Sequence, residues 1–238
     1  MTIDDVVKQV PQLFDYVKTM PKKLKEKCVV KVHPPGFIVH QKNTPLDYFG
    51  IVASGEHRVV NEFENGNVYM IERNQPIDFI GEVTILADMP ITSVTIETTT
   101  ESIIIYMSRR DFEEWIADDI YFLRLVSQKI AYKLYRSSYN RGARLFYPPH
   151  FLLLEFLLRY ADMHGTGERD AFTLPMTRQE LCEETGISVK TLNRTIAKLK
   201  DEKILGICKG KLTMTTAQLA KAKDIIGDFT NIFYKTLS

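Results

Sequence analysis

Residues 176–205, MTRQELCEETGISVKTLNRTIAKLKDEKIL, hold two short helical patterns around a Thr-Gly-Ile-Ser joint. Thr177 followed by Glu180 is the spacing of a capping box, so a helix starts there, with Leu181 as its core anchor. Gly186 stands where the chain must turn sharply, and glycine enters positive φ without strain. Ser188 then caps a second helix through its hydroxyl. In that helix Leu192, Ile196 and Leu199 fall at i, i+4 and i+7 and form one buried stripe. About 100 to 200° around from Leu192 lie Lys190, Asn193, Arg194 and Ala197, with Val189 exposed in the first turn. A short helix with small and hydrogen-bonding residues on its open face fits a major groove and reaches base edges.

Local charge agrees with that reading. The whole chain carries only +1, with 31 basic and 30 acidic residues, so it is no bulk polycation. From Gly186 to Lys211, however, seven Lys or Arg face two acidic residues, a net of +5. Charge concentrated in this way is what contacts to phosphate require. The following ILGICKGKLTM reads as two short strands joined at Lys209-Gly210, a hairpin wing, and TTAQLAKAKDIIGDF as a final helix. Before the motif, FLLLEFLLRYADM is a strongly apolar helix followed by the polar loop HGTGERD.

Upstream the texture differs. The first 27 residues read as helix, with Val6, Val7, Val10, Phe14 and Val17 near helical spacing. From Cys28 to Met107, β-rich runs (CVVKV, FIVH, YFGIV, HRVVNEF, VYMIE, FIGEVTIL, SVTIET, SIIIYM) alternate with turn signals. Those signals are Pro34-Pro35-Gly36, Ser54-Gly55, Asn65-Gly66, Asn74-Gln75-Pro76 and Asp88-Met89-Pro90. Strands at this spacing predict a jelly roll or barrel, with Asn65-Gly66 the clearest hairpin turn. Arg109 to about Tyr147 is then free of proline, which predicts one long helix. Along it Leu123, Ser127, Ile130, Leu134 and Ser137 recur in steps of four and three, a heptad seam. Such a stripe packs either on the protein's own barrel or on a second copy of itself. Tyr147-Pro148-Pro149 ends the helix, because proline cannot continue it. The predicted division is a β-roll with its N-terminal helix over 1–108, a long helix over 109–147 and the helix-turn-helix module over 148–238.

Composition excludes several other classes. Apolar residues at 45% and charged residues at 26% are ordinary globular values. The start MTIDDVVKQV has no secretory pattern, and no run nears the ~18 apolar residues that span a membrane. Cys28, Cys182 and Cys208 are far apart, and His33, His40, His57, His150 and His164 are equally scattered, so no metal-ligand spacing exists. The expectation is a cytoplasmic protein with reduced thiols and no metal. A jelly roll can also house cupin-type enzymes, but these need a His/Glu metal cluster, and the β region has no HxH pair. No catalytic residue is assigned.

TRQELCEETGISVKTLNRTIAKLKDEKIL and FIGEVTILADMPITSVTIET together resemble the cAMP receptor protein/fumarate-nitrate regulator (Crp/Fnr) superfamily of bacterial transcription regulators. The resemblance covers nearly the whole chain. It implies an α+β protein: a cyclic-nucleotide-binding-like β-roll, a long dimerisation helix and a C-terminal winged helix-turn-helix, in that order. It also implies a homodimer whose seam is Leu123, Ser127, Ile130 and Leu134, bound to a palindromic double-stranded operator, with RNA polymerase as a further partner and no membrane. The DNA-binding set is then Thr177, Arg178, Gln179, Ser188, Val189, Lys190, Thr191, Asn193, Arg194, Lys198 and Lys211. Within it Arg194 pairs with guanine, Lys190 reaches guanine or phosphate, Val189 touches a thymine methyl, and Lys198 and Lys211 hold phosphates.

Relatives that bind cyclic nucleotides open a short helix with Gly-Glu and follow it with an Arg-Ser pair. Gly81-Glu82 stands in place here, but the pair becomes Thr92-Ser93. A hydroxyl lacks the charged fork that a guanidinium offers phosphate, a loss on the order of 1.5–3 kcal/mol. Ser137 and Ser138 on the long helix complete the implied pocket. The expected ligand is therefore a small effector other than cAMP, or none, the roll then serving as scaffold; the alternative of another class is a cyclic-nucleotide-binding module that regulates a protein partner. No cofactor is assigned; haem would need an axial His33, His40 or Cys28, and the four-cysteine iron–sulfur pattern is absent.

Overall fold

A computed structural model of the chain describes residues 1–64, 66, 68–165 and 171–227, and within these all side chains except those of 139–145. Packing divides the chain into two compact units, residues 1–138 and 139–238.

The first unit opens with three short helices, α1 (Ile3–Gln9), α2 (Phe14–Val17) and α3 (Lys22–Lys27), with a 3₁₀ turn at Pro11–Leu13. This corrects the single helix expected there. Pro11 and Pro21 interrupt the ladder, since proline has no N–H to donate. The break also rotates the apolar stripe: Val6 and Val17 are buried, Val7 and Val10 half-buried, and Phe14 is exposed while Leu13 takes the core position.

Eight strands follow: β1 (Val29–His33), β2 (Ile38–His40), β3 (Tyr48–Ser54), β4 (His57–Glu62), β5 (Val68–Asn74), β6 (Asp78–Ile80), β7 (Thr95–Thr98) and β8 (Ser102–Ser108). They form two four-stranded antiparallel sheets, ordered β1-β8-β3-β6 and β2-β7-β4-β5, the double-sheet roll expected from the turn spacing. Glu62 pairs with Val68 across the β4–β5 hairpin; Gly66 sits at φ 78°, while Asn65 of that turn signal lies outside the described residues. One run was read too long. FIGEVTIL is strand only to Ile80. Gly81, at φ 94°, turns the chain into α4 (Glu82–Leu86). A Cβ at Gly81 would meet the Tyr48 carbonyl oxygen at 2.9 Å, so this corner is closed to other residues.

The long helix expected from Arg109 is two helices, α5 (Arg109–Asp118) and α6 (Ile120–Phe146). Asp119 breaks them with its carboxylate, which accepts from the Phe122 backbone N–H at 3.0 Å and from the Trp115 indole N–H at 2.9 Å. An aspartate that caps a helix competes with the ladder it interrupts. Trp115 stacks on Phe122 at 3.5 Å and Phe49 on Phe112 at 3.9 Å, and these rings with Phe79 fill the core of the unit. Phe122 and Val126 are buried in that core and Ile130 packs against it. Of the heptad seam, Leu123 and Ile130 are half-buried, whereas Ser127 and Leu134 are exposed.

The second unit contains α7 (Pro149–His164), β9 (Ala171–Thr173), α8 (Arg178–Thr185), α9 (Val189–Asp201), β10 (Gly206–Cys208), β11 (Lys211–Thr215) and α10 (Thr216–Ile226). Pro149 starts α7 at its first turn, where the missing N–H is harmless. Its leucines 153, 154 and 157 share one core with Leu181, Leu192, Leu199 and Met214. The expected wing is present, with Lys209 and Gly210 both at positive φ in its turn. β9, which no sequence signal announces, pairs with β11 to make a three-stranded sheet ordered β10-β11-β9. Residues 166–170 of the polar loop, and Asp228 and Phe229 of the last helical pattern, lie outside the described residues.

Candidate functional site

Three local devices build the helix-turn-helix. The Thr177 hydroxyl accepts from the Glu180 N–H at 3.2 Å while the Glu180 carboxylate accepts from the Thr177 N–H at 2.6 Å, so both orphan donors are satisfied. Gly186 ends α8 at φ 70°, ψ 13°, its N–H on the Cys182 carbonyl at 2.8 Å. Ser188 caps α9 by accepting from the Thr191 N–H.

Leu192, Ile196 and Leu199 are buried, which leaves Lys190, Asn193, Arg194, Ala197 and Lys198 on the open face, with Val189 45% exposed ahead of them. Lys190, Asn193 and Arg194 make no side-chain hydrogen bond or ion pair among the described residues, and Lys198 has only a loose pairing with Glu202 at 3.8 Å. One face of α9 thus carries donors that the fold does not consume. Thr177, Gln179 and Ser188 are exposed beside it, and Arg178 and Thr191 are half-buried. Gln179 donates to Glu183 at 3.3 Å. Lys211, expected to hold a phosphate, also has a partner within the fold. It is half-buried and its ammonium donates to the Pro175 carbonyl at 2.7 Å. Lys209, counted only as charge from the sequence, is exposed at the wing tip. A Lys-Gly pair between two short strands was the available signal.

Among the described residues, no side-chain hydrogen bond links the candidate effector residues to one another. Glu82 is buried, and its carboxylate accepts from the Lys133 ammonium at 2.8 Å. Burial raises the Glu82 carboxyl further than Lys133 lowers it. Burial would also raise Asp78, but His57 and Lys133 beside it hold that carboxyl below its ordinary value. Thr92 is buried too, and its hydroxyl lies on the Gln41 and Val94 carbonyls at 3.2 and 3.1 Å. Ser93 is exposed, Ser137 is half-buried, and Ser138 donates to the Leu134 carbonyl one turn back on its own helix.

Between the two sheets the Tyr48 hydroxyl donates to the Val39 carbonyl and lies 3.1 Å from His40 Nδ1. The Tyr106 hydroxyl lies 2.9 Å from His33 Nε2. The loosest haem candidates are thus tyrosine partners, and burial pushes the Cys28 thiol up to about 11. Among the described residues no group of three His, Cys, Asp or Glu is arranged to hold a metal, and no helix is long and apolar enough to cross a membrane.

Residues 30–119 match the cyclic nucleotide-binding domain family, and residues 153–221 match the Crp-like helix-turn-helix domain family. No curated protein matches the sequence at a significant level. Many solved structures share the fold. The c-di-GMP responsive global regulator CLP of Xanthomonas campestris aligns with a TM-score of 0.75 at 16% identity, covering 84% of this chain and 99% of that one. A transcriptional regulator of the Crp/Fnr family from Eubacterium rectale gives a TM-score of 0.75 at 15% identity, over 90% of this chain and 99% of that one. A CooA mutant from Carboxydothermus hydrogenoformans gives 0.64 at 17% identity, over 85% and 89%. With an effector-type roll and a Crp-like DNA-binding domain in this order, the chain belongs to the Crp/Fnr family of transcription regulators.

Proposed function

We propose that the chain acts as a homodimer that reads a palindromic operator through α9. The three working parts are the roll over 1–108, the helical connection over 109–147 and the DNA-binding domain over 148–238. The observation that carries this reading is the open face of α9: Lys190, Asn193 and Arg194 have no partner among the described residues. Arg194 pairs with a guanine, Asn193 and Lys190 read or anchor beside it, Val189 meets a thymine methyl, and Lys198 with Lys209 holds phosphates. Thr177, Arg178, Gln179, Ser188 and Thr191 serve the backbone around the helix starts. Lys211 supports the wing through Pro175 and is the weakest phosphate contact of the set. Such a regulator works where the chromosome is, in the cytoplasm, and meets RNA polymerase at the promoters it controls. The reading assigns no catalytic step.

For the seam, exposed Ile120, Ser127 and Leu134 support pairing with a second copy, and half-buried Ile130 and Leu123 sit at its edge. For the effector, Thr92 spends its hydroxyl on backbone carbonyls and Glu82 is occupied by Lys133, so cAMP is a poor fit. The c-di-GMP named for the Xanthomonas regulator is a second ligand class to try. The test is selection of bound duplexes from a random pool, repeated with each nucleotide. The reading expects one palindromic consensus, unchanged in strength by cAMP. A pool with no consensus overturns it.

A further inference from the structure

Lys133 of α6 enters the corner where β6 turns into α4. An ammonium has three N–H donors and no acceptor. This one donates to the Phe79 carbonyl at 3.3 Å and to Glu82 Oε1 at 2.8 Å, and pairs by charge with Asp78 Oδ2 at 3.0 Å, outside hydrogen-bond geometry. The Lys133 side chain is 16% exposed and both carboxylates 3%. The corner takes this shape because Gly81 turns at φ 94° against the Tyr48 carbonyl. Behind Asp78, His57 Nε2 lies 3.3 Å away on β4; Lys129, one turn earlier on α6, is half-buried at the rim.

A buried ion cluster is weak as a source of net stability, because desolvation cancels most of the attraction. What it does well is fix geometry: a buried charge tolerates one register and penalises the others. A slip of one turn that brings Ser137 to the corner would carry Lys133 about 5.4 Å along the axis and leave both buried carboxylates without an ammonium; a slip the other way would bring Lys129 there instead.

We propose that the Asp78–Glu82 corner is an ammonium socket and that Lys133, seated in it, sets the register of α6 against the roll and so passes the state of the roll to that helix. The seating stands on the contacts alone. Its effect on DNA binding rests on the dimeric reading above.

The test uses the full chain. Lys133→Ala deletes a fragment equivalent to n-propylammonium. Backbone hydrogen exchange over residues 125–137 should accelerate by at least about tenfold. Added n-propylammonium should restore protection, whereas n-propanol or the same concentration of sodium chloride should not. Lys133→Met, which keeps the stem and its packing, covers the case in which the alanine variant does not fold. In it the exchange should also accelerate, and adding Glu82→Gln should change little further, because the two act as a unit. Unchanged exchange in the methionine variant, or two additive effects, overturns the socket. If exchange follows the additive while duplex affinity stays constant, the link to DNA binding is overturned and the socket stands.

Discussion

Single positions in the helix-turn-helix have separable energetic roles. The hydroxyl of Ser188, an exposed residue, accepts from the Thr191 N–H, so Ser188→Ala should lower unfolding stability by about 1 kcal/mol, measured by urea titration. Titration of the roll has a sign that two carboxyls set in opposite directions. Burial raises Glu82 above its ordinary 4.5, so the native chain binds a proton there before the unfolded chain does. That contribution is present below about pH 4.5 and is lost as pH rises through the raised value. Asp78 is held below its ordinary 3.8, so its contribution is present above that value and is lost as pH falls through the lowered one. Urea midpoints should therefore rise slightly on acidifying toward pH 4.5 and fall again below 3.8. Glu82→Gln should flatten the first limb and leave the second. The capping box of Thr177 and Glu180 was legible because its partners sit three residues apart in the chain. Lys133 was not, since its partners lie 51 and 54 residues away and nothing in a helical pattern points to them.

Elements were legible where their signal was long and periodic. The stripe of Leu192, Ile196 and Leu199 placed α9, and turn signals placed the strands of the roll. The misreadings share one cause, a local conformation that outweighs composition: Gly81 inside FIGEVTIL, Asp119 inside an apparently unbroken helix, and Pro11 and Pro21 inside the first one. β9, three residues long, is held by its pairing with β11 and carries no periodicity of its own. For α9 the face separates two kinds of contact. Arg194→Ala should relax preference at one base pair per half-site, with a loss of about 1–3 kcal/mol on the preferred duplex. Lys198→Ala should weaken all duplexes alike and reduce the salt slope by about one ion per site. Competition binding against single-base operator variants distinguishes the two. A uniform loss for Arg194→Ala would make that residue a phosphate clamp.

Assembly is where a palindrome gains its specificity. One recognition helix contacts only a few base pairs, and each mismatch costs about 1–3 kcal/mol, too little to select a site among the competing sequences of a genome. Two linked helices add their discrimination, provided that the partner copy presents its helix about one helical turn, 10–10.5 bp, further along. On α6 the barrel-facing residues Phe122 and Val126 are already consumed by the core, while Leu134 is 66% and Ile120 79% exposed. In the proposed dimer, a second copy covers this leucine left in water. Leu134→Asp should therefore raise the dimer dissociation constant by about a hundredfold or more, since each protomer would bury an unpaired carboxylate. Sedimentation checks this directly. Leu134 lies away from the core that holds the roll, so the monomeric variant should keep its urea midpoint. On DNA it should bind a half-site as the unaltered chain does, yet lose the advantage of the full palindrome. Inserting five base pairs between half-sites should cost the unaltered protein its affinity and leave the variant indifferent. A Leu134→Asp protein that still sediments as a dimer and still senses the spacing would place the seam elsewhere on the molecule.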